Sequence, residues 1–455
     1  MNKSEIGKLS IFAITWPIFV EFALQMLMRT TGTLMLSRVS DDAVASVGVA
    51  NQIIMFAILT FNFIAVGSAV VISQYLGAKK STEEINSVVG SSLGINVVSG
   101  IIMSLGVVMF SGTLLNVFGL QPELFTMAQE FLYIVGGALI LQALITVTVA
   151  IIQSHGQTRY TMAVTLGMNV VNIACIYLFV FGPFGIPKLG VLGVALSTVI
   201  SQLLALIAHL YVLRRIVGVR IGIGHLTKWK LEHVAKVLRI GVPSSMVNIS
   251  YNASQFVTTA FVSSLGAQML TTKIYTQNII FIVMIIGIAM GRGLQIVVGH
   301  LIGAGQIEEA YKQTFSTLKA SLVISLAGVA LICLFRVPLL DLFTDSSDII
   351  RMGSALLLLG FLLEPGRNFN ILFERALQAA GDARFPMISA LLVMWLFSVP
   401  LTYYLGIHLG FGLVGIWAAF ILDEWVRGAV LYVRWKSRVW EKKALVKQQE
   451  EAVSG

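Results

Sequence analysis

The sequence predicts an all-α integral membrane protein of twelve transmembrane helices, built as two six-helix bundles related by a pseudo-twofold axis along the membrane normal. Three observations carry this reading: an apolar composition cut into membrane-length runs, basic loops confined to one side, and a residue-by-residue repeat between the halves.

The 455 residues are 57% hydrophobic and 12% charged, whereas about a quarter of the residues in a soluble domain carry charge. The apolar residues form runs long enough to cross a hydrocarbon core about 30 Å thick as helices. Twelve such runs lie near residues 10-38, 45-77, 86-116, 123-153, 159-182, 191-217, 236-264, 271-303, 312-337, 348-379, 384-406 and 413-437. The short alternating segments of a transmembrane barrel are absent.

The net charge of +9 is spread over a few short loops and the C-terminus, so anchoring at a membrane face explains it and nucleic acid does not. "GAKKSTEE", "SHGQTR", "RRIVGVRIGIGHLTKWK", "GQIEEAYK", "GDAR" and "RWKSRVWEKKALVK" all fall on one side. The opposite loops, such as "SGTLLNVFGLQPE" and "GIHLGFG", carry few or no basic residues. Both termini are therefore expected in the cytoplasm, with the chain multi-pass in the plasma (inner) membrane. The start, "MNKSEIGKLSIFAITWPIF", mimics a secretory signal, but Glu21 and the lack of a small-residue cleavage site mark a retained helix. Cys175 and Cys333 both lie in apolar runs and support neither a disulfide framework nor a Cys-based metal site.

Pro17, Thr33, Ser37, Gly67, Gly77, Ala78 and Glu83 recur as Pro243, Thr259, Ser263, Gly293, Gly303, Ala304 and Glu309, always 226 positions on (243 − 17 = 226). "QSHGQTRYTM" is answered by "QAAGDARFPM", and "GVLGVALS" by "GLVGIWAA". A duplicated unit of six helices enters the membrane twice from the same side, as in parallel-repeat transporters. The expected organisation is an N-terminal six-helix lobe over 1-217, a cytoplasmic amphipathic linker over 218-235, a C-terminal six-helix lobe over 236-437 and a basic cytoplasmic tail over 438-455. In the linker, Leu231, Val234, Val237 and Leu238 can share one helical face; the alternative is that this stretch extends the seventh helix.

Ionisable groups at membrane depth are costly and mark functional sites by default. Arg292, Glu364, Arg367, Asp423, Glu424 and Arg427 all fall mid-helix in the second half. Glu364 with Arg367, and Asp423 with Arg427, are spaced to pair on one helical face, so these charges also serve simply to make polar burial tolerable. "EPGRNFN" adds Pro365 and Gly366, which can loosen the helix around Glu364. The first half offers Glu21 and Arg29, supplemented by Gln25, Asn51, Asn172 and other amides. At about 100° per residue, Glu21, Gln25, Met28 and Gly32 share a face with Arg29 at its edge. Pro17 and Pro243 should each kink a helix, as hinges or as fixed bends.

Together these elements resemble the multidrug and toxic compound extrusion family of cation-coupled efflux transporters. The resemblance covers essentially the whole chain: "TLMLSRVSDDAVASVGVANQI" after the Pro17 helix, "GSAVVISQYLGA" with "GRGLQIVVGHLIGAGQIEEAY", the "QSHGQTR" and "QAAGDARFP" loops, and the late glycine-rich turns. It implies a V-shaped pair of bundles around a central cavity, with Na⁺ or H⁺ inflow driving export of amphipathic, often cationic compounds. The family commonly places an aspartate on the first helix, and many bacterial members a second on the fifth. Here those places are Gly32 and Ile176, although the family's nearby asparagine matches Asn172. Coupling therefore transfers to Glu364, then Glu21, with Asp423 as a further candidate. Gln25, Met28, Arg29, Gly32, Asn51, Asn172, Arg292 and Arg367 are the substrate-cavity candidates, and Pro17 and Pro243 the hinge candidates.

The partners implied are membrane lipids and small amphipathic cations, for a monomer without nucleic acid, enzyme chemistry or cofactor beyond the coupling H⁺ or Na⁺. A lipid-linked oligosaccharide or lipid flippase of the same superfamily is the alternative, and would want cationic residues in both halves. A membrane transferase would need clustered carboxylates, and Asp41 and Asp42 are a lone pair in an outer loop. The six histidines have no metal-ligand spacing.

Overall fold

The computed structural model of the protein describes residues 10–446 apart from 186, 221, 223 and 226–228, so parts of the expected linker and tail lie outside the described residues. The chain runs as α1 (Ile11–Ser37), α2 (Asp41–Gly77), α3 (Thr82–Asn116), α4 (Pro122–Gly136 with Leu139–Ser154), α5 (Thr158–Phe181) and α6 (Gly190–Arg215). The second set is α7 (Leu231–Ser264), α8 (Ala267–Gly303), α9 (Ile307–Leu334), α10 (Ser347–Leu358 with Gly360–Ala379), α11 (Arg384–His408) and α12 (Gly412–Lys436). Eight of these are long and apolar enough to cross a membrane by themselves, and α4 and α10 qualify as bent pairs. The other two, α7 and α12, contain the charges that lower their hydropathy: Glu232, Lys236 and Arg239 in one, Asp423, Glu424 and Arg427 in the other. No strand occurs among the described residues.

Local signals explain the ends. Ser81 caps α3 by accepting the Glu84 amide at 3.2 Å. Gly182, at φ 63°, closes α5 in the left-handed region where a side chain would be strained. The fourth helix of each set bends by nearly the same angle, 49° in α4 and 47° in α10, as a duplication requires. The bend in α10 precedes Gly360, so Pro365 sits inside a continuous helix and does not open it as its sequence context suggests. Neighbours secure this stretch: Trp425 Nε1 of α12 donates to the Leu362 carbonyl at 2.8 Å, and a Cβ at Gly366 would lie 2.9 Å from the Trp425 ring.

The helices form two compact units. One holds Trp16–Leu76 and Lys80–Val242; the other holds the chain before Trp16, Gly77–Lys79 and everything from Pro243. The division falls beside Pro17 in α1 and at Pro243 in α7, which are repeat partners.

In the first unit the opening turns of α7 pack on α2 backbone to backbone. A Cβ on Gly67 would strike the Val237 carbonyl oxygen, and one on Gly241 the Phe63 carbonyl oxygen. This contact corrects the expected apolar face of residues 231–238. Leu231 is 83% exposed and Leu238 also faces outward, while His233, Val237 and Ile240 are buried. A histidine belongs on the inner face because its Nδ1 lies 3.2 Å from the Ser87 hydroxyl of α3. Lys236, on the same side, donates to the Tyr75 hydroxyl at 3.0 Å. The device repeats in the second unit, where Gly293, the repeat partner of Gly67, is closed off by Thr15.

The first unit's core gathers Leu36, Ala57, Phe61, Leu132 and Ile176. In the second, Ile279, Val283, Leu340 and Leu357 form one cluster and Val262, Leu356, Ile416 and Trp417 another. The start of the basic tail is folded onto this unit: Trp440 is fully buried, stacks on Trp435 at 4.0 Å and donates to its carbonyl at 2.8 Å. Arg438 bonds Glu308 at 2.7 Å, which pushes the guanidinium pKa up.

Gly67→Val and Gly241→Val should each lower the melting temperature of the detergent-purified protein, since overpacking costs about 1–3 kcal/mol. Gly32→Ala should leave it unchanged, because nothing lies within 4 Å of the added Cβ. Equal melting of all four proteins would contradict the close approach.

Candidate functional site

Two polar centres emerge, one in each unit, and they differ in charge. In the second unit α10 and α12 pack closely at Gly366 and Gly428, where a Cβ would meet Trp425 and Phe369 at 2.9 Å. That proximity brings the mid-helix charges together. Arg367 reaches Glu364 at 2.5 Å along its own helix and Glu424 at 3.4 Å across to α12. Arg427 holds Asp423 at 2.5 Å and Glu424 at 3.2 Å. Glu424 also accepts from Asn370 Nδ2 at 2.8 Å. Glu364, Asp423, Glu424 and Arg427 are all at most 6% exposed.

Both expected same-helix pairs therefore form, and Glu424 joins them into one network. Three carboxyl groups meet two guanidiniums, so one carboxyl has no guanidinium of its own. Buried ions need partners, because the loss of hydration otherwise costs several kcal/mol per ion. A network with an odd carboxylate is a place where a cation or proton is stabilised. Asn368 braces it by donating to the Glu364 carbonyl at 2.9 Å and accepting from Ser321 of α9 at 2.5 Å. Phe369, Phe373, Trp425 and Tyr432 pack beside it with ring centroids 5.6–6.4 Å apart; aromatic faces suit organic cations.

Arg292 is drawn elsewhere. It donates to Gln295 at 3.1 Å; Gln295 donates to Gln378 at 3.2 Å, and Gln378 to Glu374 at 2.7 Å. Arg375 also donates to Gln378, at 3.2 Å.

The first unit has one buried carboxylate, Glu21, 4% exposed. Its Oε2 accepts from Gln153 at 3.1 Å and from the Thr161 hydroxyl at 2.8 Å. These partners flank the "SHGQTR" loop, so Glu21 ties α1 to the α4–α5 turn. Gln378, the repeat counterpart of Gln153, instead donates to Glu374 one turn back on its own helix, so that bond joins no second helix. Glu21 is thus parted from Gln25 and Arg29, both of which are exposed, as is Asn51. Met28 and Gly32 are half-buried, so the polar face read along α1 is buried only at its Glu21 end. Asn172 is buried and donates to Ser201 at 3.3 Å. Ile176, one turn on, is 1% exposed within the apolar core that includes Leu36 and Phe61. Pro17 and Pro243 are both buried.

Sequence reading assigned no role to Lys273, which is 2% exposed and donates to Thr259 at 2.5 Å. It ties the start of α8 to α7 through that threonine, the repeat partner of Thr33. Asn370 and Glu424 were legible as polar residues at depth, but their meeting required the α10–α12 contact.

A protein-family model described as MatE matches the chain twice, over residues 17–178 and 243–404. The chain belongs to the MatE family. Its two matches begin at Pro17 and Pro243 and end at residues 178 and 404, so both ends are 226 positions apart (243 − 17 = 404 − 178 = 226). Over 436 residues it is 44% identical to an uncharacterized transporter, YisQ, of Bacillus subtilis, with 96% of each chain covered. A probable multidrug resistance protein, NorM, of Thermotoga maritima is 24% identical over 453 residues, 99% of this chain and 97% of that one. A multidrug resistance MATE family transporter of the MOP superfamily, solved in an outward-facing conformation, has a TM-score of 0.86 at 20% identity over 94% of this MatE chain and 95% of that one. That likeness carries the fold alone: a multi-pass, all-helical membrane architecture.

Arg427→Gln should strip Asp423 and Glu424 of a shared partner and destabilise the protein by about 3–5 kcal/mol. Adding Asp423→Asn should recover much of that loss in thermal unfolding. Strictly additive effects would contradict a shared network.

Proposed function

We propose that this MatE protein is a secondary active exporter of amphipathic organic cations, driven by inward flow of H⁺ or Na⁺ and working by alternating access. The single observation that supports this most is the unequal network of α10 and α12, three carboxylates sharing two guanidiniums. One positive charge balances it. A second would be repelled at close range in a low-dielectric site. Substrate cation and coupling ion therefore compete for one uncompensated charge, which is the requirement for exchange. Glu364 is the coupling residue in this reading, with Asp423 its partner on the far side of the network.

Exchange becomes export when the two occupied forms favour different conformations, since a ligand shifts an equilibrium only by its differential affinity. Pro17 and Pro243, each beside a point where the chain passes from one unit to the other, are the proposed hinges. Basic loops on the side of both termini support a cytoplasmic location for those ends, in the plasma (inner) membrane.

The first-helix carboxylate of the wider family has no substitute in this proposal. Gly32 stands at that place, Ile176 at the fifth-helix place lies in an apolar core, and Glu21 is committed to Gln153 and Thr161.

Efflux of a cationic dye from vesicles with imposed Na⁺ or pH gradients tests this. Glu364→Gln should lower gradient-driven efflux within the roughly 5–150-fold range typical of coupling free energies. Gly32→Asp, whose side chain has open space, should leave gradient dependence as in the parent. Intact coupling in Glu364→Gln, or coupling that strengthens in Gly32→Asp, would move the site to the first helix.

A further inference from the structure

We propose that the corner where α6 runs into the following linker is a binding site for an anionic glycerophospholipid. A cavity of about 670 Å³ opens there, lined by Leu210, Leu213, Arg214, Arg215, Val219 and Arg220. Among the described residues, three guanidiniums and no carboxylate line it. None of the three makes an ion pair among the described residues. Basic loops at this face account for arginines in water; they do not account for three of them walling one cavity.

The wall is held in place. The Gly222 amide donates to His225 Nδ1 at 3.3 Å, and His225 Nε2 lies 3.1 Å from Glu83 of α3. The linker crosses α3 at Gly90, where a Cβ would lie 2.5 Å from the His225 side chain. Glu83, the acid beside this segment, is thus engaged by the histidine.

The shape of α6 identifies the occupant. Leu203, Ile207 and Leu210 are 45%, 56% and 41% exposed, and Arg214 follows one turn later. Spacings of four, three and four put them in one row on the helix surface. An acyl chain lying along that row brings its phosphate to Arg214, which is in the last turn of the 26-residue span and hence at headgroup depth. Free phosphate would use the arginines but make no contact with the apolar row that runs into the cavity at Leu210. A zwitterionic lipid would use the row but gain little from three positive charges. Anionic headgroups held by basic pockets at a helix end are an established mode of lipid recognition.

Native mass spectrometry of the intact, detergent-purified protein tests this with three probes: phosphatidylglycerol, phosphatidylcholine and inorganic phosphate. One phosphatidylglycerol per chain should be retained, released by rising salt, while the other two are not. Arg214→Gln with Arg220→Gln should weaken its retention by about fivefold for each arginine removed. Ile207→Asn should weaken it with the arginines intact. If the double variant fails to fold, the single Arg215→Gln and the salt series on the parent still decide. Equal retention of phosphatidylcholine, salt-insensitive binding, or inorganic phosphate held as tightly as the lipid would each overturn the proposal.

Discussion

Burial of charge between α10 and α12 is the constraint on which the account depends. Glu364, Asp423, Glu424 and Arg427 are sealed from water, so each must find an opposite charge or a donor nearby. That need fixes the α10–α12 contact. Gly366 and Gly428 permit close approach, Trp425 covers the carbonyl of Leu362 near Pro365, and Asn370 donates to Glu424 while Asn368 holds the Glu364 backbone carbonyl. Three carboxyl groups share two guanidiniums, and in the proposed function the spare carboxyl is the group that cation exchange uses. Stability and proposed function thus draw on the same five side chains.

Periodicity and repetition made the fold legible. Each of the twelve apolar runs became one helix or bent pair, because length and hydropathy leave a membrane segment few alternatives. The bends were not legible as such. Pro365 advertised one, but Trp425 and Gly366 hold its helix in line and the break falls ahead of Gly360. The apolar face expected of the linker is divided for a related reason: periodicity groups Leu231 and Leu238 with Val237, whereas Ser87 and Tyr75 draw His233 and Lys236 to the side where Val237 is buried.

The polar centres were half legible. Spacing of three and four along one helix predicted Glu364 with Arg367 and Asp423 with Arg427, because both partners share a helix. Glu424 linking the pairs, and Gln153 and Thr161 holding Glu21, are contacts between helices, and one sequence does not encode which faces meet. The departure at Gly32 and Ile176 was visible as a missing carboxylate. Its consequence appears only in the packing, where Ile176 fills an apolar core.

The most direct test counts protons rather than transport. A lipophilic cation titrated into weakly buffered, detergent-purified protein in Na⁺-free and Na⁺-containing solution would report what it displaces. The account predicts that binding displaces one cation per chain: a proton released to the medium, or a Na⁺ whose presence weakens binding. Glu364→Gln should abolish that displacement. Binding that displaces neither ion, or displacement that persists in Glu364→Gln, would contradict it.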